Sequence, residues 1–363
     1  MTNYSSKQNI IIESIEQATK DMRELSPKKR ALKALIGGKT DRTPVTSFTG
    51  CGGAVNAEMQ KAKGIYWPYA HKDPEKMAKL AIAGYELGGI ECVKIPFDNI
   101  VEAEALGCGA RYYEETILFP VVVDHPYTKP EDLKMPNNIL ELGRIPVVLK
   151  AIRIAREEVG DFLPISSHVT GPFTLASELA GIEKFSIWGL KNPNYVKVFI
   201  DFSTDFIIEF AKAQYRAGSD LVTVADGALT HYMVTPDVLN KLIKPALIRI
   251  ATSLGGIRLL YIGGKIESMV PFLAECGYDG ISVDPSVNIA RVKPIVGDVK
   301  ILGNVDSKST LTLGSPEEVK AEVKRAIEGG ADLIEPSCGI PPEAPTINIR
   351  AMVEAVKEFG SRE

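Results

Sequence analysis

Histidine is scarce in this 363-residue chain, with four, at positions 71, 125, 168 and 231. No His-x-His, His-x-Cys or His-Glu-x-x-His spacing occurs, so no zinc site is built from ligands adjacent in sequence. The cysteines, at 51, 92, 108, 276 and 338, are odd in number and form no Cys-x-x-Cys pair. That excludes a disulfide scaffold and fits a reduced, cytoplasmic protein. There is no P-loop and no Gly-x-Ser-x-Gly elbow, which removes the sequence case for a nucleotide-phosphate cradle or a serine hydrolase. No apolar run reaches the ~20 residues of a membrane helix. Near the N-terminus, Ile10-Ile11-Ile12 is followed by Glu13 and Glu16, which suits neither a signal peptide nor a span. A net charge of −4 argues against a general nucleic-acid or membrane-surface binder.

What is present is a repeated joint. A helix-like segment ends in glycine, an acidic residue follows, and an apolar strand begins. The copies are Gly88-Gly89-Ile90-Glu91, Gly218-Ser219-Asp220, Gly277-Tyr278-Asp279-Gly280 and Gly329-Gly330-Ala331-Asp332. Glycine supplies the left-handed residue that stops a helix, and continuous apolar runs suit strands buried on both faces. With the remaining runs, about eight strands follow in series, as a (β/α)₈ barrel requires. They fall near Pro44–Phe48, Glu91–Pro96, Leu163–Ser167, Asp220–Ala225, Arg258–Ile262, Gly280–Val283, Lys300–Leu302 and Asp332–Glu335. Amphipathic stretches such as Pro74–Leu87, Val196–Ala217, Ser268–Cys276 and Ser315–Glu328 separate them. A doubly wound open sheet is the rival, but no Gly-x-Gly-x-x-Gly follows any strand. Residues 7–40 read as two helices, the second opened by Ser26-Pro27 and closed by Gly37-Gly38. Residues 98–145 form a long insertion after an early strand, with a hairpin near Arg111–Val123. No linker divides the chain, so residues 1–363 read as one α/β domain: a (β/α)₈ TIM barrel with an N-terminal helical extension, 1–40, and that insertion.

In such barrels the chemistry sits at the C-terminal ends of the strands. Those ends collect Thr49 and Cys51, Asp98, His168 and Thr170, Asp226, Tyr261 with Gly263 and Lys265, Asp284, Asn304 and Asp306, then Glu335 and Cys338. Each has a bland alternative. Asp226 before Gly227 could cap a helix or turn. His168 could be a satisfied supporting group. Asn304 and Asp306 could hold the loop after the seventh strand, and Cys338 could be a small buried hydrophobe. One barrel face gathers them all, which favours a site.

Longer runs carry a resemblance. Gly38-Lys39-Thr40-Asp41-Arg42-Thr43-Pro44-Val45, Thr170-Gly171-Pro172-Phe173-Thr174, Leu302-Gly303-Asn304-Val305-Asp306 and Cys338-Gly339-Ile340-Pro341-Pro342 resemble the uroporphyrinogen decarboxylase superfamily. Tyr66-Trp67-Pro68-Tyr69-Ala70-His71 and Arg144-Ile145-Pro146-Val147-Val148-Leu149 are similar to its methylcobamide:coenzyme M methyltransferases. The resemblance implies methyl transfer between a corrinoid (cobalamin) protein and a small-molecule donor or acceptor. No nucleic acid and no membrane take part.

The resemblance also implies a zinc-bound thiolate held by His-x-Cys at the end of the fifth strand and by a distal cysteine. Here the distal position is Cys338, while His-x-Cys reads Tyr261-Ile262-Gly263. Zinc would then need an altered set drawn from Cys338, Asp284, His168 and Asp226. Within this reading Tyr261, Asp226, Asp284 and His168 are the catalytic candidates. Cys51, Asn304, Asp306 and Glu335 are candidates for holding the small molecule. The loop at 50–53 and the insertion at 98–126 are candidate docking surfaces for the corrinoid protein. Three alternatives stand: demethylation of a methoxylated or methylated donor that loads Co(I) corrinoid, a non-catalytic corrinoid- or ligand-binding protein, and a decarboxylase-type lyase. The last is disfavoured because Ser47 to Met59 contains no arginine or lysine to clamp a polycarboxylate.

Overall fold

The computed structural model describes residues 24–50, 52–114, 118–229 and 236–362. A parallel sheet runs in the order β1 (Val93–Ile95), β4 (Ile165–Thr170), β5 (Leu221–Asp226), β6 (Ile257–Ile262), β7 (Gly280–Ser282) and β8 (Lys300–Leu302). The expected hairpin is present in the insertion, where β2 (Gly109–Arg111) pairs antiparallel with β3 (Val121–Asp124). The third expected strand runs on to Thr170, so His168 and Thr170 lie within it rather than beyond its end.

The first and last expected strands do not form ladders, yet they close the barrel. Val45 bridges Ile334, Leu302 bridges Leu333 and Val305 bridges Pro336, all parallel. Backbone bonds join Thr46 N–H to Ile334 O and Ile334 N–H to Pro44 O, each at 2.9 Å, and side chains supply others. Phe48 N–H donates to Glu335 Oε1 at 2.7 Å, Val45 N–H to Glu91 Oε2 at 3.2 Å, and Ser47 N–H to the Cys92 thiol at 3.3 Å. Burial pushes that thiol up to about 12, so Cys92 is an inert structural acceptor.

Around the sheet lie α1 (Pro27–Leu35), α2 (Ala57–Lys63), α3 (Pro74–Gly88), α4 (Val101–Ala105), α5 (Ile145–Val159) and α6 (Pro172–Ala180). They continue with α7 (Ile182–Lys191), α8 (Pro193–Ala217), α9 (Lys244–Ser253), α10 (Pro316–Glu328) and α11 (Thr346–Phe359). The second of the two expected N-terminal helices is α1, capped by Ser26 with Pro27 in its first turn. The first falls within residues 1–23, outside the described residues. Among the described residues no helix is long and apolar enough to cross a membrane.

The repeated glycine–acid joint has a physical cause at the closed end of the barrel. Gly89, Gly218, Gly277 and Gly330 all take positive φ, as the turn from helix to strand requires. The acid that follows clamps the preceding strand with both backbone and side chain. Asp279 N–H donates to Arg258 O at 2.9 Å, and Arg258 N–H returns to Asp279 Oδ2 at 2.8 Å. Asp220 with Ile165, Asp332 with Ile301, and Glu91 with Val45 repeat the exchange. These clamps fix the register that decides which residues reach the opposite, open end.

Candidate functional site

The open end is floored by a buried polar network at β1 and β4. Burial alone would raise the Asp98 carboxyl. The Arg144 guanidinium, at 2.8 and 2.9 Å, and His71, with Nδ1 2.8 Å from Oδ2, outweigh it and hold Asp98 well below the usual carboxylate range. Arg144 also donates from Nε to Glu104 at 2.6 Å. These contacts tie the insertion and the 66–71 segment to the end of β1.

His168, 2 % exposed, donates from Nε2 to Asp98 O at 3.0 Å, and its Nδ1 is buried without a partner among the described residues. Burial, assisted by the charge of Lys94, pushes its pKa down to about 3, so His168 is a neutral ring. Lys94 is itself fully buried and donates to Gly50 O.

Glu102, on α4, accepts the Thr170 N–H at 2.8 Å. The Thr170 hydroxyl lies 2.6 Å from Asn99 O and 2.9 Å from Glu102 Oε2. A hydroxyl has one proton. Given to the carbonyl, it leaves Glu102 to bring its own, in keeping with burial raising this carboxyl to about 7. Glu178, whose Oε2 is buried without a partner among the described residues, is raised well above its usual range by burial and by Glu102, Asp98 and Asp226.

Four of the sequence candidates spend their polar atoms on the scaffold. Asp226, fully buried, accepts Phe173 N–H, Thr174 N–H and the Thr174 hydroxyl at 3.1, 2.7 and 2.6 Å, and so caps the start of α6. A Cβ on Gly171 would lie 2.3 Å from Asp226 Cβ, which is why glycine precedes that helix. Burial still raises Asp226 to about 6. Glu335, with a carboxyl raised by burial, accepts from the Thr46 and Thr49 hydroxyls and from Phe48 N–H. Asn304 donates to Asp284 O and Val287 O, and Asp306 accepts Lys308 and Ser309 N–H. Both hold the loops after β7 and β8.

The remaining candidates line the rim. Tyr261, 7 % exposed, ends β6 beside Ala225 and Ser282. A side chain at Gly263 would begin 3.6 Å from the Tyr261 hydroxyl. Asp284 is half-buried and accepts Ser286 N–H at 2.9 Å. Lys265 is exposed. Cys338 is exposed, with its N–H donated to the Ser307 hydroxyl at 3.3 Å. Gly50 packs so closely on this loop that its Cβ would meet Cys338 C at 2.2 Å. Cys51 and His231 lie outside the described residues.

Lys94, Glu102, Arg144 and His71 escaped the list of candidates read from strand ends. The signal for Lys94 was a lone cation inside the apolar run Cys92–Pro96; the others lie in segments outside the barrel repeat.

The family profile described as uroporphyrinogen decarboxylase (URO-D) matches residues 26–359. The methylcobamide:CoM methyltransferase MtaA of Methanosarcina barkeri is 38% identical over 93% of this chain and 99% of its own. A methylated-thiol–coenzyme M methyltransferase of Methanosarcina mazei is 34% identical over 92% and 90%. Among solved structures, a methyltransferase from Methanosarcina mazei superposes with a TM-score of 0.88 at 37% identity, covering 93% and 99%. The chain belongs to the uroporphyrinogen decarboxylase family. Within it, these similarities lie with proteins named as methyltransferases.

Zinc, which the resemblance implies, finds no matching donors. Tyr261 and Gly263 stand at the His-x-Cys positions. Asp226 is spent on the start of α6 and His168 Nε2 on Asp98 O, and among the described residues no group of three or more His, Cys, Asp or Glu could hold a metal ion. The altered set of Cys338, Asp284, His168 and Asp226 does not converge.

Proposed function

We propose that this chain is a corrinoid-dependent methyltransferase that moves a methyl group between the corrinoid of a partner protein and a small molecule, and that residues 1–363 act as one domain in the cytoplasm. The observation that carries the reading is the match to methylcobamide:CoM methyltransferase MtaA along 93% of the chain, with the same barrel at a TM-score of 0.88 in a related methyltransferase. The site's layout supports it. Its floor is buried and extensively hydrogen-bonded on the β1–β4 side, while Tyr261 near the end of β6 and Asp284 and Cys338 on the loops beyond their strands lie toward the rim, where a large corrinoid carrier can approach. The corrinoid supplies a carbon–metal bond that is made and broken at cobalt. The barrel binds the small molecule, orients its methyl group or acceptor atom, and excludes water. Cys338, exposed above the buried glycines at 50, 52 and 53, and the 98–126 insertion are the surfaces a carrier would meet first.

The test is anaerobic absorbance spectroscopy in both directions. Methylcobalamin is offered with thiol acceptors, and cob(I)alamin is offered with methylated donors. The expected outcome is a methyl–cobalt band that disappears in the first arm or appears in the second, at a rate proportional to the protein. Silence in both arms, together with thermal stabilisation by the corrinoid, would replace this reading with that of a binding protein.

A further inference from the structure

Tyr66-Trp67-Pro68-Tyr69-Ala70-His71 forms one helical turn, Trp67–Ala70, with His71 at its C-cap. The i, i+4 spacing sets the Trp67 and His71 rings side by side, with centroids 6.4 Å apart. Both are buried, Trp67 fully and His71 to 1 % exposure. Among the described residues eight buried side-chain nitrogens and oxygens lack a hydrogen bond, and three of them are Trp67 Nε1 and the two ring nitrogens of His71. Buried polar atoms are normally paired, because leaving one unpaired costs stability. Three within one turn mark a place built for a partner.

The turn lies at the open end of the barrel. His71 Nδ1 faces Asp98 Oδ2, just past the end of β1, at 2.8 Å, in an ion-pair contact bent off the line of a hydrogen bond. Trp67 packs on Phe119 with centroids 4.6 Å apart. Phe119, half-buried, closes on Gly52 at the mouth, where a Cβ would come within 2.8 Å of its ring. Phe97 backs both rings and meets Gly53. Phe119 is thus the wall between this pair and the mouth. The fixed charges around His71 sum to zero. Asp98 and Glu104 are balanced by Arg144, bonded to both, and by Lys72, 3.9 Å over the Tyr112 ring that flanks His71. A proton on His71 would therefore leave one positive charge beside the Trp67 N–H. Such surroundings suit a group that arrives as S–H and reacts as thiolate. A thiol, ordinarily ionising near ~8.5, yields its proton to a neighbouring imidazole and is held as thiolate by the imidazolium. A further N–H donor strengthens that hold.

We propose that Trp67 and His71 bind the sulfur of a small thiol, the methyl acceptor, and that His71 Nε2 takes its proton, so that the thiol is activated without a metal. The proposal rests on the methyltransferase reading above and deepens it by naming the acceptor and the direction. In the step, the S–H proton passes to Nε2 and the sulfur's electron pair forms the bond to the methyl carbon. The carbon–cobalt bond breaks with its pair remaining on cobalt, which goes from Co(III) to Co(I). The thioether leaves, and His71 returns the proton to solvent. Asp98, fixed by the Arg144 fork, holds the imidazolium in place.

The test begins with binding, read without turnover. Coenzyme M or 2-mercaptoethanol should change the tryptophan fluorescence of the full-length protein saturably, and the change should vanish in Trp67→Phe. No change, or the same change in Trp67→Phe, overturns the proposal. The second measurement is methyl transfer from methylcobalamin to a series of substituted benzenethiols, with and without a chelator. The chelator is expected to leave the wild-type rate unchanged, and a loss that zinc restores overturns the proposal. His71→Gln is expected to lower kcat/KM about 100-fold at neutral pH for the least acidic thiols. The deficit should shrink for more acidic thiols and as rising pH ionises the thiol unaided. A merely structural histidine would lower every thiol equally at every pH, and that result, or full activity of His71→Gln, overturns the proposal. Wild-type protein that loads cob(I)alamin from methylated donors yet methylates no thiol overturns it while leaving the methyltransferase reading intact. Wild-type protein that moves methyl in neither direction overturns both.

Discussion

Thr170, Glu102 and Asn99 share too few protons for a charged Glu102, and this makes stability depend on pH in a defined direction. Glu102 is raised to about 7 by burial, against an ordinary glutamate range near 4.3. Between those values the folded chain holds a proton that the unfolded chain has lost. The contribution is therefore complete below the ordinary value and disappears as pH rises through about 7. Asp98 has the opposite sign: held low by Arg144 and His71 against its burial, it contributes above the ordinary carboxylate range and is lost only in acid. Between pH ~5 and ~7.5 the Asp98 term is constant. His168, held low, contributes the opposite slope up to the ordinary histidine value, so Glu102 is read as a difference: from pH ~5 to ~7.5 the urea midpoint of the wild type should drop relative to that of Glu102→Gln, and parallel curves would assign the proton elsewhere. Tyr261, Asp284, His168 and Cys338 were legible as candidates because each closes an apolar run. What was not legible is how their polar atoms are spent. His168 serves the backbone of Asp98, and Asp226 serves the N-terminus of α6, pairings made only when β4, β5 and the insertion meet in space.

At the level of elements, the recurring glycine–acid joint was readable from the sequence, down to the positive φ of its glycines. The purpose of its acid was not, because the partner lies in the strand before it, 21 residues away for Asp279 with Arg258 and 55 for Asp220 with Ile165. Likewise the first and last strands were placed correctly but expected as ladders. A few backbone bonds remain, and the others are supplied by the side chains of Glu91, Cys92 and Glu335, which no alternation pattern reveals. The clamps give a prediction that separates scaffold from site. Asp332→Ala would strip the Ile301 N–H of its 2.8 Å acceptor and Lys293 of its ion pair at the closed end of the barrel. A loss of about 1–3 kcal/mol is expected for a hydrogen bond to a charged group. It would be read as a lower urea midpoint with an unchanged slope. Methyl-transfer rates below the unfolding transition should be unaffected, since the mouth lies at the other end of the strands. A rate that fell in proportion to stability would show that the two ends are coupled.

At the scale of the whole molecule, the barrel, its insertion and the family were all carried by runs of several residues, whereas the altered site came down to the single stretch Tyr261-Ile262-Gly263. Membership of a family described by its decarboxylases makes uroporphyrinogen the natural wrong substrate, and the charge layout says why it should be refused. An octacarboxylate needs several free cations in a cradle, ideally the planar forks of arginine. In this chain the loop from Ser47 to Met59 contributes none. Lys94, the cation nearest to it, is fully buried and bonded to Gly50 O, and Arg144 is buried against Asp98 and Glu104. Lys265 stands exposed, a single charge on the loop after β6. Freeing Arg144 to meet a carboxylate would leave Asp98 buried and unpaired, at a cost of about 3–5 kcal/mol for a broken buried ion pair. Anaerobic incubation of the protein with uroporphyrinogen should therefore release no CO₂ and give no saturable binding. Decarboxylation at any rate proportional to the protein would mean that cations outside the described residues, or a rearranged Arg144, form the missing cradle, and the acidic mouth would then have to open on binding.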